Sequence, residues 1–180
     1  MRSVAGWRGR TAEWVQPRAL DQAYELRSGD EQLAALAFRS AFGSLATAET
    51  ADGTWTFKRV GFLNPRITVR VLGSETDLAV YQPQFWGGGA LVLAGGRSFA
   101  WSSTGFWGTR WEFRSSAGGS ALAFERGVSD EGFSGLFKSQ FTVTFPADES
   151  MRDVLPMLAA LGMYLLVLHQ RDAAAVVVTG

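Results

Sequence analysis

The chain has 180 residues, 47% of them hydrophobic, with 17 basic and 17 acidic side chains that cancel. That length suits one domain with a sizeable core, and that apolar, neutral composition excludes a disordered chain. The absence of cysteine excludes disulfides, thiolate metal sites and a cysteine nucleophile, and is compatible with a cytoplasmic setting.

Residues 1–20 carry four Arg and one Glu. They contain no long apolar stretch, so no secretory signal is expected. They read as a basic N-terminal arm ahead of a single domain over 21–180. Trp7 and Trp14, seven apart, fit one face of a helix. Such an arm either packs back on the body or contacts lipid or a protein partner.

From Tyr24 onward, short runs of period two alternate with turn residues. Strands are expected at 24–27, 33–39, 44–50, 54–60, 66–72, 77–82, 89–93, 98–103, 108–114, 120–126 and 137–145. In TWTFK, Trp55 and Phe57 share a face. In RITVR, Ile67 and Val69 point one way while Arg66, Thr68 and Arg70 point the other. Asp52-Gly53, Gly95-Gly96 and Gly118-Gly119 read as hairpin turns. Residues 174–178 offer a twelfth strand. No βα repeat appears, so a parallel sheet is not expected.

Near the end, residues 154–168 read VLPMLAALGMYLLVL without a charge. This predicts a helix over 153–169, with Ser150 and Asp153 as a capping box and Pro156 tolerated in its first turn. The run has no polar face, so it needs apolar surroundings on every side. It is shorter than the about 20 residues of a spanning helix. A closed antiparallel barrel of about 12 strands is too wide for its own side chains to fill, and such a helix would plug it. Gly162 in mid-helix costs about 1 kcal/mol against Ala and makes sense where another element comes very close. The fold class expected is mainly β, a closed antiparallel barrel around a central hydrophobic C-terminal helix.

This layout resembles the tubby C-terminal-like superfamily, which includes tubby domains, LURP-one-related proteins and phospholipid scramblases. The local match is FTVTFPADESMRDVLPMLAALGMYLLVLHQRD at 141–172: a strand, Phe-Pro, an acidic stretch, then the apolar helix. The resemblance implies a twelve-stranded barrel threaded by that helix. In tubby domains it also implies phosphoinositide recognition through basic residues on one side of the barrel. Their Lys/Arg pair has no residue-by-residue match here. The Pro-rich segment and Cys-rich acylation sites of scramblases are likewise missing.

An enzyme is not expected. GxGxxG, Walker and GxSxG patterns are absent, and the one histidine, His169, reads as a polar residue at a helix C-terminus, where positive charge is favourable. No cofactor is expected. Asp148, Glu149 and Asp153 are weak calcium candidates, since the corresponding stretch of scramblases is associated with calcium. Acids beside a helix N-terminus also suit its positive end. Basic residues concentrate between 54 and 126, eight against four acids. Lys58, Arg59, Arg66, Arg70, Arg110 and Arg114 form a cationic patch for anionic head groups if their strands are neighbours. Phe85, Trp86, Phe106 and Trp107 lie beside glycine turns, where they either dip into a bilayer interface or cap the barrel. With zero net charge and no recognition module, no nucleic acid partner is expected. The leading expectation is a non-enzymatic binding domain for anionic phospholipid, cytoplasmic and peripheral to the membrane. The alternatives are a protein-interaction module using the arm and a scramblase-like membrane protein.

Overall fold

The computed structural model describes residues 1–18, 21–84, 87–104, 109–119, 121–126 and 138–179. Twelve strands and one helix follow in chain order: β1 (Thr11–Gln16), β2 (Ala23–Ser28), β3 (Glu31–Phe38), β4 (Ala46–Thr50), β5 (Gly53–Val60), β6 (Arg66–Val71), β7 (Ala79–Pro83), β8 (Gly89–Leu93), β9 (Ser98–Thr104), β10 (Arg110–Ser115), β11 (Ala121–Arg126), β12 (Lys138–Thr144) and α1 (Leu155–Thr179). Each strand pairs antiparallel with the next, and β1 pairs with β12 to close the barrel. The expected fold class is observed.

Alternation decides which side chains face the lumen. Trp55 and Phe57 of β5 and Ile67 and Val69 of β6 are buried inside, while Lys58 and Arg66 are exposed outside. The turns at Asp52-Gly53, Gly95-Gly96 and Gly118-Gly119 join β4 to β5, β8 to β9 and β10 to β11, each with a glycine at positive φ. At the first of them the Thr50 hydroxyl accepts from the Asp52 and Gly53 amides.

The twelfth strand lies at the N-terminus, which corrects two expectations. Thr11–Gln16 is barrel wall rather than arm, and Trp14 is buried in the lumen against the β12 side. Closure explains why. In an up-and-down sheet of eleven strands the first and last run parallel, and a twelfth lets them pair antiparallel. Residues preceding β1 are fixed too. The Val4 amide and Ser3 hydroxyl donate to the Asp52 carboxylate at 2.7 and 2.5 Å, and Val4 and Trp7 are buried at that end.

Residues 174–178 are helix, not strand. α1 continues to Thr179 rather than ending at 169. After Leu168 the chain reads HQRDAAAVVVTG, whose alanines favour helix and whose first glycine is the last residue. From Leu155 to Leu168 every side chain is buried. That stretch spans about 21 Å and fills the lumen. Aromatic clusters pack around it. Trp101, Phe113 and Phe124 lie on one side, with Trp101 centroids 4.5 and 5.4 Å from the two rings. Phe38 and Phe57 flank Tyr164 on the other, at 5.4 and 5.3 Å. The helix leaves the lumen after Leu168, so the barrel has an entry end, beside 145–154, and an exit end.

The expected capping box is not formed. The Ser150 hydroxyl donates to Asp148, and Asp153 is held bidentate by Arg97 at 3.1 and 2.5 Å. The first turn closes on backbone bonds instead, from the Val154 and Leu155 amides to the Met151 carbonyl.

Candidate functional site

The helix-exit end carries three large, almost fully exposed apolar side chains among the described residues. Two loops shape it, 39–45 between β3 and β4 and 61–65 between β5 and β6. In the second, Gly61 adopts φ +86°, and a Cβ there would stand 2.6 Å from the Asn64 carbonyl oxygen. Only glycine makes that turn without strain. Asn64 is in turn fixed by the Gln82 side-chain amide at 2.8 Å. The tight turn leaves Phe62 and Leu63 97% and 93% exposed. Phe42, on the neighbouring loop, is fully exposed. Single exposed apolar residues need no explanation, but three large ones on two loops at one end of the barrel do.

Three cations lie on the outer wall at this end. The Arg39 amide bonds the Leu45 carbonyl, which extends the β3–β4 pairing by one residue. By continued register, Arg39, Leu45 and Lys58 lie in one row across β3, β4 and β5. Lys58 pairs with Thr68 and Val60 with Arg66, so Lys58 and Arg66 are diagonal neighbours on the outer face, about 7–8 Å apart. Arg39, Lys58 and Arg66 are all exposed. The acids described at this end are neutralised: Asp21 by Arg18, Glu125 by Arg110 and Asp172 by Arg59.

The structure divides the six expected head-group residues. Lys58 and Arg66 stay together. Arg59 points the other way, to the inner side of the rim, where it grips Asp172 of α1 through two bonds of 2.7 and 3.2 Å. Arg70 pairs with Asp77 at 2.6 Å, Arg110 with Glu125, and Arg114 with Glu112 at 2.6 Å. Three strands separate β6 from β10, which puts the two arginine pairs about 19 Å apart around the wall. They do not form one patch.

The other expected residues fare as follows. Phe85, Trp86, Phe106 and Trp107 lie outside the described residues. Of the calcium candidates, Asp148 binds Ser150, Glu149 pairs with Arg8 and Asp153 pairs with Arg97, so each has its own partner. The Arg97 guanidinium, with smaller help from nearby backbone amides, holds the Asp153 carboxyl below its ordinary range. Among the described residues no cluster of three or more His, Asp or Glu converges. His169 does not end the helix. It stands where α1 leaves the lumen, 5.5 Å from the Trp111 ring.

Sequence reasoning missed Phe42, Phe62, Leu63 and Arg39. A signal existed in GFLNP, where two large apolar residues sit inside turn-forming glycine, asparagine and proline and therefore cannot enter a sheet.

Behind the rim, a cleft of about 560 Å³ opens between the 39–45 loop and the emerging helix. Among the described residues, no helix is long and apolar enough to cross a membrane. No protein-family model, no curated protein and no solved structure matches the chain.

Proposed function

We propose that the protein is a non-catalytic binding domain that docks peripherally, exit end first, on an anionic phospholipid surface. The observation that carries this reading is that Phe42, Phe62 and Leu63 are exposed on loops at the same end of the barrel as the exposed Arg39, Lys58 and Arg66. Three basic residues near an anionic leaflet contribute about 3 kcal/mol. Stable attachment takes a second signal, and the exposed apolar loops supply it. Membership of the tubby C-terminal-like superfamily is part of the same proposal, supported by the twelve-stranded barrel and its enclosed helix. Enclosure of residues 155–168 argues against a scramblase-like protein with that helix in lipid.

Co-sedimentation with phosphatidylcholine vesicles, with and without phosphatidylserine or a phosphoinositide, tests the proposal. Binding is expected only with the anionic lipids, and it weakens at high salt. Lys58→Glu with Arg66→Glu should abolish it, as should Phe62→Ser with Leu63→Ser. All four positions are on the surface, so the variants should fold. No sedimentation at low salt would overturn the proposal, and unchanged binding by either double variant would overturn the assigned surface.

A further inference from the structure

The cleft at the exit end is not needed for surface docking. Ala41 and Phe42 form one wall, and Leu168, Ala174 and Ala175 of α1 form the other. Its volume of about 560 Å³ falls within the about 300–1,000 Å³ of small-molecule sites, which are mostly apolar with a few placed polar groups. Its polar side chains are Ser44, Arg59, Arg171 and Asp172. The Ser44 hydroxyl donates to the Arg59 carbonyl, and the two guanidiniums and one carboxylate leave a single net positive charge.

Both guanidiniums are fixed in place. Arg59 is held by Asp172. Arg171 donates to the Gly43 carbonyl at 3.0 Å and to the Gln22 side chain, and its guanidinium lies 4.0 Å from the centre of the Phe38 ring. A guanidinium has five N–H donors, so these bonds leave donors on both groups. A preorganised donor edge with one net positive charge is complementary to a monoanion. The apolar walls are complementary to a hydrocarbon chain.

We infer that this cleft binds a single-chain amphiphile with a monoanionic head, such as a long-chain fatty acid, its carboxylate at Arg59 and Arg171 and its chain between Phe42 and Ala174. The inference goes beyond membrane docking and does not rest on it, because a monomeric ligand in vesicle-free solution meets no surface.

The test uses cis-parinaric acid as a fluorescent probe, below micelle-forming concentrations, competed by hexadecanoate, hexadecanol and hexadecylammonium. Saturable binding is expected, with hexadecanoate displacing the probe at least about tenfold more effectively than the alcohol or the amine, the effect of roughly one uncompensated charge contact. Ala174→Trp, which fills the cleft from the helix side, should weaken binding by about tenfold or more. Ala41→Trp should do the same from the loop side. Circular dichroism establishes that the variants are folded. Absence of saturable binding by the native chain, equal competition by the three amphiphiles, or unchanged affinity in both tryptophan variants would each overturn the inference. Failure here with intact vesicle binding leaves the docking proposal standing, and the converse result separates them the other way.

Discussion

The ring of Phe124 fills the notch that Gly162 leaves in the central helix. A Cβ on Gly162 would stand 2.6 and 2.8 Å from the two Cε atoms of that ring. Phe124 has no exposed surface, and Trp101 packs edge-on against it at 5.4 Å, so the ring has little room to retreat. Alanine would gain about 1 kcal/mol of helix propensity, while overpacking costs about 1–3 kcal/mol. Gly162→Ala is therefore expected to lower stability by up to about 2 kcal/mol in urea unfolding, and Gly162→Val by more. Phe124→Leu makes space, so the double variant Gly162→Ala, Phe124→Leu should lose less than the two single losses added. A Gly162→Ala variant more stable than the native chain would refute this account of the packing.

All three tyrosines of the chain, Tyr24, Tyr81 and Tyr164, are buried. Burial pushes each phenol above its ordinary value of 10.0, with Arg171 partly offsetting the rise at Tyr24, and Arg59 and Arg171 partly offsetting it at Tyr164. The folded state holds these protons after the unfolded chain would release them. Stability from this source is complete below pH 10 and falls as pH rises beyond it, by about 1.4 kcal/mol per pH unit for each such group. Tyrosinate absorbance should therefore appear together with unfolding, as one cooperative step above pH 10. Tyr81→Phe removes one of the three linked protons and should make the alkaline transition less steep. Gradual tyrosinate formation in a chain still folded by circular dichroism would contradict this.

Much of the barrel was legible because its inward faces obey strict alternation, as in Trp55 and Phe57 or Ile67 and Val69. The helix was legible because an uncharged run with no polar face has few places to go. Thr11–Gln16 was not, because its short alternation of Ala12 and Trp14 is embedded among arginines, and the spacing of Trp7 to Trp14 mimics a helical face. The end of α1 was misread because three successive valines look like strand, while the alanines before them extend a helix already nucleated. The site was least legible. Face-sharing by Arg66 and Arg70 follows from alternation. Their distance from Arg110 and Arg114 depends on strand order around the closed wall, and their carboxylate partners come from a loop and from neighbouring wall positions.

On the acid side, the pair between Arg97 and Asp153 sets a testable sign. The guanidinium holds the Asp153 carboxyl below its ordinary 3.8. A depressed folded-state value contributes stability that is complete above the ordinary value and disappears as pH falls through the folded one. Both side chains are well exposed, 44% and 67%, so the contribution is about 0–1 kcal/mol. Arg97→Gln should lower stability slightly at pH 6, and its difference from the native chain should vanish toward pH 2. A difference that persists at low pH would assign the effect of Arg97 to its contact with the Ser150 carbonyl at 3.4 Å instead of to charge.

Arg59 and Asp172 join the β5 wall to the part of α1 that lies outside the lumen. Their geometry is bidentate, but their side chains are 38% and 56% exposed, so the pair contributes about 0–1 kcal/mol to global stability. Its local effect is larger in kind. Beyond Leu168 the helix has no lumen to hold it, and the contacts that fix it to the rim include this pair, the bonds of Arg171 to Gly43 and Gln22, its guanidinium on the Phe38 ring, and the packing of His169 on Trp111. Arg59→Ala should therefore leave the urea midpoint nearly unchanged. It should also speed amide exchange selectively in residues 169–179, by about fivefold for a loss near 1 kcal/mol. Exchange in 155–168 should stay slow, because those amides open only when the barrel does. If exchange accelerated equally along the whole helix, the exit segment would not be a separate unfolding unit, and Arg59 would be stabilising the barrel as a whole.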